Sequence, residues 1–548
     1  MTGSYALLPW QDREQIEQQI AYHRNEIARL SRRLNTDARV MRLPDELLAE
    51  VFAQYVSAWR ADKLLNTRPY GWLPITHVCH NWREIALHTP LLWTDVHLTA
   101  RTDPTTAFID RSCQADLHVR GHLTFTESGG HVDAYDQWRP LSQASCRIRS
   151  LWLDIHTEIL PFPTASSCVV PFSGLKHLVL GGPPLIKQLP LFLSPETIFL
   201  QSLTAYHVAF TTIRPLLRTS LRSLSLRRFC ISKTSWATFF DTLRDLTSLE
   251  QLVLADNFVP LPARFMELPL VAGTVVTLPS LRSLSLSAEV AAAAGLLLRH
   301  LFFSGRAALA ISYGERFAED GPLREIDPDE DTPCLASAVS LRLSGETTLT
   351  SPPPIHTLCI GNDRQRYDAG IPRIAGWPRA LSLDEMTSSL TAPLFCIEGE
   401  YDFPALVSRL GQIRSFIHVQ TLILSAFNHL TARSLREAFA HLPSLSAIRA
   451  RDSSVFSLLS AMLPDRLSDD VPFAALRQLQ IHNFLFYYSD WDGENNEGVQ
   501  ALEATLSQRS LRGCRLDKLI ITECRRIQHA DVEGFREYVG LLTWDGVS

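Results

Sequence analysis

Long apolar runs are missing from this 548-residue sequence: the longest, Val290 to Leu298, has nine residues, about half of what a helix needs to cross a bilayer. No membrane-spanning helix is expected. The ten cysteines include no C-x-x-C pair, which argues against a zinc ribbon and gives no basis for a disulfide framework. There is no Asn-x-Ser/Thr sequon, and the opening residues lack the basic start and apolar stretch of a secretory signal, so the expected location is cytoplasmic or nuclear. Net charge is also small: a formal charge of -6 is too mild for electrostatically driven binding to nucleic acid or an anionic membrane. Catalytic signatures are absent as well. The sequence has no G-x-S-x-G, no H-E-x-x-H and no phosphate-binding Gly-Lys pair, since none of the five lysines follows a glycine. The expectation is a protein with no catalytic residue, no metal and no cofactor, whose partners are other proteins.

What is present is core material. With 46% hydrophobic and 20% charged residues, the chain belongs with folded proteins and not with disordered ones. From Asp12 onward a stretch free of glycine and proline carries Ile16, Ile20, His23, Ile27, Leu30 and Leu34 at alternating steps of four and three, the seam of a coiled coil. Acidic residues open this helix and arginines close it, which complements the helix dipole. Residues 12–38 are therefore expected to form an amphipathic or coiled-coil helix. Two readings stay open: packing on its own protein, or pairing into a homodimer with His23 tolerated in the seam.

A short helical module follows. Pro44 sits in the first turn of a helix on which Leu47, Leu48, Val51, Phe52 and Tyr55 recur at helical spacing. A second helix gathers Ile75, Val78, Cys79, Trp82, Ile85 and Ala86 on one face, and Pro90 stops it before Leu92 and Trp93. Two short helices this apolar cannot bury their faces alone and need a partner. His77, Cys79 and His80 lie close together, but Cys79 falls in the apolar stripe and no fourth ligand is near, so no metal site is expected. Residues 41–98 resemble an F-box of the form common in mushroom-forming fungi, on the strength of Leu43, Pro44, Glu46, Leu47, Val51 and Phe52, then Val78, Cys79, Trp82, Arg83, Ala86, Pro90, Leu92 and Trp93. The resemblance implies docking on the Skp-type adaptor of a cullin-based ubiquitin ligase, with Leu43, Pro44, Leu47, Leu48, Val51, Val78 and Trp82 in the interface or its frame.

Beyond Leu98 the pattern L-x-x-L-x-L recurs with conservative replacements, starting at residues 148, 175, 200, 221, 249, 281, 355, 419, 445, 476 and 516. Several starts are about 26 to 32 residues apart, close to a leucine-rich-repeat period. In each unit the last two apolar positions point to one side of a short strand and the residue between them to the other. The fold class expected is α/β: N-terminal helices followed, over residues 99–548, by a curved leucine-rich-repeat solenoid with a parallel sheet. The last unit resembles the cysteine-containing repeat often found after F-boxes, with Cys524 at the family's cysteine position and Ile527 after it, which makes Cys524 a buried structural thiol. The acidic run Asp327, Asp329, Glu330, Asp331 reads as a solvated loop. The calcium-loop residue types from Asp490 lack a glutamate at position 501, which is Ala501.

Two functions fit. One is a non-catalytic substrate-receptor subunit of an SCF-type cullin-RING ligase, binding the adaptor through the F-box and a target protein through the repeats. The other is a leucine-rich-repeat scaffold that is never assembled with a cullin. On the open face of the sheet, the residues placed to meet a target are Trp152, His177, Arg449, Arg451 and Lys518, with the arginine forks suited to an acidic or phosphorylated segment.

Overall fold

The computed structural model describes residues 10–61, 70–98, 102–123, 141, 143–155, 172–182, 199–228, 236–255, 275–288, 291–314, 328–363, 371–381, 392–399, 403–425, 430–464, 470–490 and 493–547. The chain divides into two compact units, residues 1–179 with 190–198, and residues 180–189 with 199–548.

The first unit opens with helix α1 (Trp10–Thr36), then a 3-10 turn (Arg39–Arg42) and helix α2 (Asp45–Ala61). The carbonyl of Pro44 receives the amides of Leu47 and Leu48, and Asp45 and Glu46 occupy the first turn, where carboxylates favour the helix dipole. The second predicted helix is broken in two, a 3-10 segment Leu73–His77 and helix α3 (His80–Leu87). Cys79 makes the break: its backbone is extended and its sulfur accepts from the amide of Trp82 at 3.5 Å, so it serves as N-cap and not as part of one apolar stripe. A last 3-10 turn (Pro90–Trp93) leads into strand β1 (Asp95–Leu98), which pairs in parallel with β2 (Leu117–Leu123), and β2 pairs in parallel with β3 (Ile148–Ile155). β4 (His177–Gly181) runs across the division in the chain.

In the second unit, β5 (Ser202–Tyr206), β6 (Ser223–Arg227), β7 (Gln251–Ala255) and β9 (Ser283–Ala288) stack in parallel, in chain order. β8 (Val276–Leu278) pairs separately with β10 (Leu301–Phe303). The strands after these are β11 (Ala308–Tyr313), β12 (Thr357–Asp363), β13 (Ile371–Trp377), β14 (Phe395–Gly399), β15 (Thr421–Ser425), β16 (Ala447–Arg451), β17 (Gln478–His482), the short β18 (Tyr488–Asp490) and β19 (Gly493–Asn495), β20 (Leu516–Thr522) and β21 (Val539–Trp544). Every hexapeptide unit found in the sequence from residue 148 onward falls on one of the strands of the main sheets. Leu224 and Leu226, Leu252 and Leu254, Ile448 and Ala450, and Leu519 and Ile521 are buried, while the residue between each pair is half-buried on the other face.

The expectation of a parallel sheet needs correction in the middle. β11 pairs with β9 and, on its other side, with β14; the ladder then runs β13, β12, β15. β13 is antiparallel to both neighbours. After β11 the chain traverses helix Pro328–Ser344, lays β12 three places along, and returns through β13 and β14 to fill the gap. The sheet is thus mostly parallel with a reversed insertion. Gly295 marks tight helix packing behind it: a Cβ there would lie 2.8 Å from the backbone of Leu335. The acidic run is also corrected, since residues 329–331 fall in the first turn of helix Pro328–Ser344 and Asp327 lies outside the described residues. Of the segment from Asp490, Asp490 and Gly493–Asn495 belong to the antiparallel pair β18 and β19, Asn496 is the N-cap of the helix Glu497–Leu511, and 491 and 492 lie outside the described residues. Of the proline-bearing stretch 161–195, residues 172–182 are described and carry β4, and the rest lie outside the described residues. Among the described residues no helix is long and apolar enough to cross a membrane.

Candidate functional site

α2 is apolar on both faces, and the protein covers only one. Leu48, Phe52, Val56 and Trp59 turn inward and are buried. Leu43, Leu47, Val51 and Tyr55, at steps of four, form an outward stripe, with Leu47 53% and Val51 52% exposed. Val78, 58% exposed at the break before α3, and Leu91, 64% exposed, add to the apolar surface of the module. Of the seven residues expected at the interface, Leu48 is 1% exposed and belongs to the frame. Trp82 is half-buried, its ring 4.9 Å from that of Phe52, so it props α3 against α2. Leu43, Pro44, Leu47, Val51 and Val78 face outward. The outward positions of Tyr55 and Leu91 were not named in the interface from sequence, although the four-residue spacing of Tyr55 after Val51 carries the signal.

The frame beneath is rigid and aromatic. Trp93 is buried, donates from Nε1 to the carbonyl of Ala86 at 2.8 Å, and packs edge-on against Trp72 and Phe108. The Arg111 guanidinium lies 4.4 Å over its ring. Arg60, at the end of α2, pairs with Asp95 at 2.5 Å and donates to the carbonyl of Leu92, which ties α2 to β1. Burial holds the Arg60 guanidinium below its ordinary value, and Asp95 opposes that shift.

The residues expected on the open face of the sheet divide between the two units of the chain. Trp152 lies on β3, 42% exposed, and Arg120 sits 5.5 Å over its ring. His177 lies exposed on β4. In the second unit, Arg449 and Arg451 share one face of β16, half-buried. Lys518 aligns with Gln478 and Ala447, two strands over and two residues back from Arg449, so it is about 10 Å across and 7 Å along the sheet and does not join the arginines. What the register does bring into the row of Arg451 is Ser425, Gly361 and Arg373 on one side and His482 on the other. Arg373 comes from the antiparallel β13, which no repeat pattern announces. It lies 3.7 Å from Glu398 and donates to Cys396 Sγ at 3.0 Å. Arg451 Nε is buried with no hydrogen-bond partner among the described residues. His482 is held below its ordinary value by desolvation first, then by Arg449 and Arg451, against the pull of Glu523 and Asp452. The field at this end of the face is therefore positive.

The buried thiols are inert by the same reasoning. Burial pushes Cys359 up to about 11, Cys396 up to about 12 and Cys524 up to about 11. Cys524 donates to the carbonyls of Thr522 and Ile481, the structural role expected of it. Native-state maleimide labelling at neutral pH, read by peptide mass spectrometry, is expected to modify the exposed Cys113 and Cys146 within minutes and to leave the buried Cys396 and Cys524 unmodified until denaturant is added. Among the described residues no group of histidine, cysteine or carboxylate side chains is arranged to hold a metal ion.

Residues 40–99 match the F-box-like family model, which spans the helices and 3-10 turns whose outward apolar stripe is described above. No curated protein matches the chain.

Proposed function

The chain carries an F-box-like domain, and on that premise we propose that it is the substrate-receptor subunit of an SCF-type cullin-RING ubiquitin ligase, working in the cytoplasm or nucleus. The observation that carries this reading is the two-faced α2: one apolar face is buried by the protein itself, yet the stripe Leu47, Val51 and Tyr55, with Leu43 just before the helix, is open to water. The Skp-type adaptor is the occupant that the domain implies. In this role the protein performs no bond chemistry. It holds a target near the ligase's catalytic machinery, and the leucine-patterned strands after residue 98 supply the surface, in the manner of leucine-rich repeats.

Within that surface, Arg449 and Arg451 are the proposed contacts for an acidic or phosphorylated segment of the target; Trp152 and His177 in the first unit are separate candidate contacts, and Lys518 a peripheral one. The Arg451 guanidinium, its Nε buried with no hydrogen-bond partner among the described residues, favours a carboxylate or phosphate that can take up the fork. Once a target is captured, an Arg449→Glu, Arg451→Glu chain is expected to bind it at least tenfold more weakly while binding the adaptor as before. Unchanged target affinity removes the arginines from the interface. The seam of α1 is the proposed basis of a homodimer.

A further inference from the structure

α1 packs its seam on nothing in the described structure. Ile16, Ile20, Ile27, Leu30 and Leu34 are all between 43% and 74% exposed. A helix of this length draws most of its stability from packing an apolar face, so an open seam calls for a partner helix. The charges are unevenly shared along the helix. Between Asp12 and Glu17 there are three carboxylates and one arginine; between Arg24 and Arg33 there are four arginines and one carboxylate. Local pairing accounts for only part of this, through Arg13 with Glu17 at 3.0 Å and Arg29 with Glu26 at 2.7 Å. Glu14 at one end, and Arg24, Arg32 and Arg33 toward the other, have no ion pair among the described residues.

We propose that α1 binds a second copy of itself in antiparallel orientation, the acidic first turns of each helix lying along the basic last turns of the other. A parallel pair sets acidic ends side by side and basic ends side by side. It also aligns the two macrodipoles. An antiparallel pair reverses each of these terms. One register satisfies the whole seam: Ile16 against Leu34, Ile20 against Leu30 and His23 against Ile27, each contact made twice. His23 then packs on an isoleucine of the other copy, whereas a parallel pair would face the two imidazoles across the seam.

The inference rests on the homodimer reading, and sedimentation of the full chain separates the two. The unmodified chain is expected to show a monomer–dimer equilibrium that weakens as salt is raised from about 0.05 to 0.5 M, because attraction between unlike ends is screened. Glu14→Arg with Glu17→Arg is expected to raise the dimer dissociation constant at least tenfold. Adding Arg29→Glu, Arg32→Glu and Arg33→Glu is expected to restore it, although that exchange opposes the helix dipole and so cannot act by strengthening the helix alone. A chain that stays monomeric at all concentrations overturns the homodimer reading itself. A dimer indifferent to Glu14→Arg with Glu17→Arg, or one that tightens with salt, keeps the homodimer and overturns the antiparallel arrangement.

Discussion

Aspartate at Leu47 and Val51 together is expected to abolish capture of the Skp-type adaptor while leaving the unfolding transition of the chain where it was. Both side chains stand more than half exposed on the outward stripe of α2, so the folded chain loses almost no packing when they go. Substitutions at such positions change stability by about 0.5 kcal/mol or less. At the proposed adaptor interface the same two side chains are expected to act as anchors, each worth about 2 kcal/mol or more, so that their joint loss is on the order of a thousandfold in affinity. The buried neighbours supply the control. Phe52 is one residue from Val51 but 1% exposed, and its truncation is expected to weaken the fold first. Titration calorimetry with purified adaptor, beside a thermal melt of each variant, checks the pair of outcomes. Adaptor affinity within threefold of the unmodified chain would remove the stripe from the interface.

The second large effect concerns the frame. Trp93→Ala is expected to destabilise the first unit by about 3 to 5 kcal/mol, the range for deleting a large buried aromatic side chain. The side chain is 1% exposed, two aromatic rings and one guanidinium pack on it, and its Nε1 satisfies the carbonyl of Ala86 at the end of α3. Truncation removes all of these at once and leaves a cavity between α3 and the following elements. Trp93→Phe keeps much of the volume and loses the hydrogen bond, so it is expected to cost clearly less, about 1 to 2 kcal/mol. Urea unfolding followed by circular dichroism reads both. Equal costs for the two variants would mean that the hydrogen bond and not the packing carries the site.

These expectations rest on features of unequal legibility. The strands that carry the hexapeptide were legible because apolar residues that alternate across a pleat and stack on neighbours recur, as they do from Ile148 to Ile521. The reversed order of β12, β13 and β14 was not, since strand order depends on where a long crossover lands, and the local pattern at Ile355 is the same whichever neighbour it meets. Arg373 stayed hidden for that reason: its place in the row of Arg451 exists only because β13 turns back. In the helical module the apolar spacing located both helices but could not say which face is covered. Leu47 and Leu48 are adjacent, equally apolar and of opposite fate. Cys79 misled because a cysteine among apolar residues reads as core, whereas here an extended backbone turns its sulfur to the amide of Trp82.

The central claim, that the F-box-like module delivers this chain to a cullin ligase, is tested most directly by mixing the purified full chain with the Skp-type adaptor at micromolar concentration and measuring the mass of what elutes. The account predicts a complex of one adaptor per chain that recruits the cullin and is lost with Leu47→Asp and Val51→Asp. Separate elution of a folded chain and a folded adaptor would contradict it.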